Sequence, residues 1–133
     1  MIAYDTNILI YALEGISSWS KAAQAIVQSG EHGGAVLSVL IWQELMTGAM
    51  MRGDDSDKRL ANILNDFSAT KFVPVTLSIC EKATSLTKHY GKQVYGYDAI
   101  HLATAIEFKA EYFVTNDKEL LGLELDEIKI ISL

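Results

Sequence analysis

The chain has 133 residues, half of them hydrophobic, with one proline, one cysteine and a formal net charge of −6. That length supports one domain with a real core, and the composition excludes extended disorder. A lone Cys80 excludes an internal disulfide and a cysteine metal motif and points to a reducing cytosol, while the acidic balance argues against broad binding to duplex DNA.

Short β-like runs alternate with helical stretches, the pattern of an α/β domain with a mainly parallel sheet. In chain order the pattern predicts a strand at Ile2–Tyr4, helices at Asn7–Leu13 and Ser20–Ser29, a strand at Ala35–Ser38 and a helix at Val39–Met51. A helix at Asp57–Phe67 follows, then a strand at Phe72–Val75, helices at Thr76–Tyr90 and Tyr97–Lys109, a strand at Tyr112–Thr115, a short helix at Lys118–Leu121 and a last strand at Glu127–Ile131. Gly30–Gly34 and Arg52–Asp57 read as loops, and neither divides domains, so residues 1–133 form a single unit. Asp5, Gln43 and Glu44 interrupt the apolar runs, so no membrane span is expected. No basic leader with a cleavage-type site opens the chain, so no signal peptide is expected either.

Four carboxylates stand apart from this pattern. Asp5 is the only charged residue from Met1 to Leu13, and Glu44 the only one from Gly33 to Met51. With His101 counted as neutral, Asp98 is alone from Gln93 to Ile106. Asp117 closely follows the apolar run Tyr112-Phe113-Val114, in Thr115-Asn116-Asp117. An unpaired carboxylate in apolar surroundings costs several kcal/mol or protonates, so its presence implies compensation. A shared divalent cation is the simplest form of it. Asp5 ends the first strand and Asp117 follows the fourth, while Glu44 and Asp98 lie in helices that can reach the same carboxyl edge, where parallel sheets bind ligands. An all-oxygen donor set suits Mg²⁺ or Mn²⁺ better than zinc or iron, and such ions activate water against a phosphodiester. Counting the four as ligands moves the net charge most of the way to neutrality, so RNA remains an admissible partner.

The same residues resemble a known family. Met1-Ile-Ala-Tyr-Asp-Thr-Asn-Ile-Leu-Ile-Tyr-Ala-Leu13, Ser38-Val-Leu-Ile-Trp-Gln-Glu-Leu45, Tyr97-Asp-Ala-Ile-His-Leu-Ala-Thr-Ala105 and Val114-Thr-Asn-Asp117 resemble, in order, the four acidic segments of a PIN domain. Within that family the chain looks most like VapC-type toxins of prokaryotic toxin–antitoxin pairs. The resemblance implies helices on both sides of a parallel sheet ordered 3-2-1-4-5 and Mg²⁺- or Mn²⁺-dependent RNA cleavage. It implies Asp5, Glu44, Asp98 and Asp117 as the acidic cluster, with Asn7 and Thr115 as polar support. It further implies a cytoplasmic homodimer inhibited by a cognate antitoxin, which would also supply any DNA binding.

Plainer readings stand beside these. Asp5 suits helix capping, Asp98 suits the first turn of a helix, and Thr115-Asn116-Asp117 suits an ordinary turn into a helix. His101 reads as a hydrogen-bonded helix histidine, with a general base or ligand as the alternative; Cys80 reads as a small buried hydrophobe, and Trp42, Met46 and Met50 as core, with a partner surface as the alternative. Tyr95 and Tyr97 read as a packed turn, with base stacking as the alternative. Asp54, Asp55 and Asp57, among Arg52, Lys58 and Arg59, read as a solvated loop. Lys58, Arg59, Lys71, Lys88 and Lys92 are candidates for phosphate contact. Two other functions compete: a PIN-like metal-binding module that recognises RNA or protein without turnover, and an aspartyl-nucleophile phosphatase. The phosphatase normally wants a second Asp two positions after the first, where Asn7 stands.

Overall fold

The computed structural model describes residues 1–52 and 69–133. Five strands form one parallel sheet ordered β3-β2-β1-β4-β5: β1 Ile2–Tyr4, β2 Ala35–Ser38, β3 Thr70–Val73, β4 Tyr112–Val114 and β5 Lys129–Ile131. The helices are α1 Thr6–Glu14, α2 Ser20–Gly33, α3 Val39–Arg52, α4 Leu77–Tyr90, α5 Gly96–Glu107 and α6 Lys118–Leu121. Among the described residues no helix is long and apolar enough to cross a membrane.

Alternation along each strand divides the core between the two sheet faces. Tyr4, Ala35, Leu37 and Val114 face Ile8 and Leu9 of α1, Ala23 and Val27 of α2, and Ile41, Leu45 and Ala49 of α3. Ala3, Val36 and Phe113 face the other way, onto Ile79, Ala83 and Leu86 of α4 and Ala99, Leu102 and Ala103 of α5. Such a three-layer arrangement leaves the carboxyl edge of the sheet open between α3 and α5. The pairs Ile2↔Tyr112 and Tyr4↔Val114 make β1 and β4 neighbours, so both strands emerge together at that edge.

Several element boundaries differ from the sequence reading, each for a local reason. Helix α2 runs on through Gly30 to Gly33, because Gly30 packs against the sheet: a Cβ there would stand 3.0 Å from Ala35 Cβ and 3.5 Å from Ile2 Cδ1. Strand β3 is Thr70–Val73, two residues earlier than expected, since Pro74 has no N–H for the ladder while Thr70 and Lys71 pair with Ala35 and Val36. Helix α5 ends at Glu107 in a Schellman-type stop. Lys109 takes the left-handed position at φ 57°, and the Ala110 N–H reaches Ala105 O at 2.9 Å. The helix expected at Asp57–Phe67, and the readings of Asp54, Asp55, Asp57, Lys58 and Arg59, fall outside the described residues.

Three burial expectations are corrected. Cys80 is exposed, because Ile79, Ala83 and Leu86 form the inward stripe of α4. The sheet-facing stripe of α3 is Ile41, Leu45 and Ala49, which leaves Trp42 and Met50 in solvent and Met46 only partly covered. Tyr95 and Tyr97 are exposed rather than packed, since the turn into α5 opens onto the carboxyl edge.

Candidate active site

Asp5 follows β1 directly, its N–H bonded to Val114 O of β4 at 3.1 Å. Its carboxylate is buried, and each oxygen accepts one hydrogen bond. Oδ1 accepts the Ile8 N–H at 3.2 Å, capping α1, and Oδ2 accepts the Thr115 hydroxyl. Burial pushes the Asp5 pKa above the usual carboxylate value, the Thr115 and Ile8 bonds oppose that, and the negative charge of Asp98 adds to it.

Glu44, half-buried on α3, shows the opposite balance. Burial alone would raise its pKa, but His101 and the Thr6 hydroxyl outweigh that and hold it below the ordinary glutamate value. Thr6 donates to Oε2, and His101 Nε2 stands 3.4 Å from Oε1. Asp98, in the first turn of α5, is exposed, and among the described residues no donor reaches its carboxylate. Its pKa is raised by desolvation first and then by repulsion from Asp117, with Glu44 adding and His101 opposing. Asp117 is exposed and caps α6 through Glu119 N at 2.8 Å, while its own N–H bonds to Thr115 Oγ1 at 3.0 Å.

The four acids therefore sit along one edge, with Asp98 repelling each of the other three. Thr115, wholly buried, links Asp5 to the Asp117 backbone. Asn7 is exposed, and among the described residues its side chain bonds none of the four. The expectation that isolated acids are buried holds for Asp5 and half for Glu44; it fails for Asp98 and Asp117, which stand exposed at the edge. The plainer capping role of Asp5 is real and coexists with its place on this edge, and the turn at Asp117 is a cap as well. Thr6 and His101 are contacts that sequence reading did not assign. Their signals were slight: Thr6 lies between Asp5 and Asn7, and His101 lies three residues after Asp98.

Among the described residues no three His, Cys, Asp or Glu side chains are drawn tightly enough to hold a metal ion. The donor chemistry nonetheless fits a hard divalent cation. All four acids present carboxylate oxygens, and their mutual repulsion is what a positive charge between them would offset.

A family model for the PIN domain matches residues 2–124. The chain belongs to the PIN domain family. Among solved structures it is similar to a toxin–antitoxin complex from Klebsiella pneumoniae, at 26% identity over 98% of this chain and 100% of that one, with TM-score 0.70. It shares its fold with VapBC2 from Rickettsia felis bound to a promoter DNA fragment, at 16% identity, covering 100% and 99% of the two chains, TM-score 0.74. The same holds for VapC20 from Mycobacterium tuberculosis, a sarcin-ricin loop cleaving toxin, at 16% identity, 97% and 99% coverage and TM-score 0.71. No curated protein matches the sequence significantly.

Proposed function

We propose that this PIN domain is a Mg²⁺- or Mn²⁺-dependent endoribonuclease and the toxin of a toxin–antitoxin pair. Asp5, Glu44, Asp98 and Asp117 form its acidic cluster, with Thr115 and Asn7 in support. The observation that carries the reading is that acids from four distant segments lie at one carboxyl edge, where the charge of Asp98 acts on each of the others. The family match and the likeness to toxin–antitoxin complexes support it.

A hard divalent cation bound there supplies an activated water and offsets charge building on the phosphodiester. The chain's own residues prepare the place. Asp5 is held by two donors so that its buried carboxylate keeps one orientation. Glu44 is kept ionised by Thr6 and His101. Asp98, exposed and without a donor among the described residues, is the carboxylate whose charge gains most from a neighbouring positive one. Thr115 ties the β1 and β4 ends together, which fixes the distance from Asp5 to the Asp117 segment. The partners of this reading are RNA as substrate and an antitoxin protein as inhibitor, with a homodimer as the working form. The setting is the cytoplasm, and DNA is reached only through the antitoxin.

Purified protein incubated with structured RNA should cleave it only when Mg²⁺ or Mn²⁺ is added, and Asp5→Asn or Asp98→Asn should abolish cleavage. Equal cleavage in excess chelator would defeat the proposal. Tight binding of intact RNA without turnover, across metals and substrates, would favour the non-cleaving module instead.

A further inference from the structure

His101 is an unusual residue for the interior. It is 4% exposed, yet among the described residues its buried Nδ1 has no hydrogen-bond partner. A buried polar atom left unpaired is destabilising. The other ring nitrogen explains why an imidazole is there. Nε2 lies 3.4 Å from Glu44 Oε1, slightly longer than a closed hydrogen bond and short enough for a small shift to close. A carboxylate oxygen accepts, so Nε2 is the ring nitrogen that donates toward Glu44.

The contact spans the molecule. Glu44 belongs to α3 on one face of the sheet and His101 to α5 on the other, and their side chains meet beyond the strand ends. Thr6, from the first turn of α1, donates to the second Glu44 oxygen. Both oxygens of Glu44 are thus addressed by donors from two different helices. Asp98, by contrast, has none among the described residues.

The geometry points to His101 as a positioning residue: with Thr6 it holds the Glu44 carboxylate in the one orientation from which it can join Asp98 around a divalent cation. Each carboxylate oxygen carries two lone pairs, so the hold leaves one on each oxygen for a cation. Partners behind a metal ligand commonly contribute 10–100-fold in metal affinity or activity. This role deepens the proposed nuclease function and rests on it.

The test compares His101→Leu, which keeps bulk and removes the donor, with His101→Gln, which restores an N–H donor. Mn²⁺ affinity by calorimetry should fall about tenfold or more in His101→Leu and recover largely in His101→Gln. In the RNA assay kcat should fall with KM little changed, and the thermal midpoint of His101→Leu should equal or exceed that of the parent because the unpaired Nδ1 is gone. The metal-free crystal structure of the variant gives an independent readout. Glu44 should leave its present position in His101→Leu, and an unmoved Glu44 overturns the proposal. Equal Mn²⁺ loss in both variants, or none in either, also overturns it. Should His101→Leu not fold, Thr6→Val carries the same comparison, with Mn²⁺ affinity expected to fall and an unchanged value counting against the role. Parent protein that neither binds Mn²⁺ nor cuts RNA would refute the nuclease reading itself, while the crystallographic readout on Glu44 would still decide the role of His101.

Discussion

Replacing Thr115 by Val keeps the side chain's size and deletes one hydroxyl at the centre of the site. That hydroxyl donates to Asp5 Oδ2 and accepts the Asp117 N–H at 3.0 Å, and Thr115 has no solvent exposure to compensate its loss. Removing a hydrogen bond to a buried charged group costs about 1.5–3 kcal/mol, and the orphaned Asp117 amide adds a smaller amount because it lies near solvent. A net loss of about 2–3 kcal/mol near neutral pH follows, or a fall in thermal midpoint of roughly 10 °C for a domain of this size. The pH dependence has a definite sign. Asp5 already has a raised folded-state pKa, dominated by burial, and the Thr115 bond works against that rise. Without the bond the pKa rises further, so the variant is penalised most where Asp5 must be ionised. As pH falls through the folded-state value the carboxyl takes up a proton and the penalty shrinks. Urea unfolding at about pH 7.5 and again near pH 4 measures both quantities, the second close to the ordinary carboxylate range. A ΔΔG that is near zero, or equal at the two pH values, would refute the assigned role of Thr115.

Other consequences are as direct. The Tyr4 hydroxyl is buried beside Thr70, but that threonine donates to Glu31, leaving Tyr4 without a bond of its own among the described residues, and burial pushes its pKa up to about 12. The unfolded chain ionises near pH 10, so stability present below that value drains away as pH climbs through the folded-state value. Tyr4→Phe should flatten that alkaline decline by about 2 kcal/mol in chemical unfolding, and an unchanged decline counts against it. Gly30→Ala should destabilise the fold by about 1–2 kcal/mol, because strand-borne Ala35 cannot yield the missing space, whereas Gly33→Ala, with nothing within 4 Å of a new Cβ, should be neutral or stabilising. Equal effects at the two positions would contradict the packing described for α2. Lys109→Gly should stabilise by about 1 kcal/mol through relief of the left-handed residue after α5; a loss on calorimetry would mean that the Lys109 side chain matters more than its backbone.

The strand order could be expected from sequence because the acidic segments carry the family resemblance in order, and β1 and β4 pair at Tyr4↔Val114. Apolar periodicity placed the helices because burial of one stripe dictates it. What composition could not show was the direction of side chains at helix margins. Cys80 and Trp42 each lie one position away from a buried stripe, and that single step separates core from solvent. Nor does a gap in charge reveal depth: Asp5 and Asp98 look alike in sequence, yet one is sealed under Thr115 and the other stands open. The His101–Glu44 meeting joins residues 57 positions apart on opposite sheet faces, a distance that local pattern does not report.

Soaking crystals in Mn²⁺ and collecting anomalous diffraction would locate the cation directly. One peak, or two adjacent ones, within bonding distance of Asp5 and Asp98 and absent from Asp98→Asn crystals is the expected result. Crystals that show no such peak at saturating Mn²⁺, or place it away from the ends of β1 and β4, would contradict a shared cation at this edge.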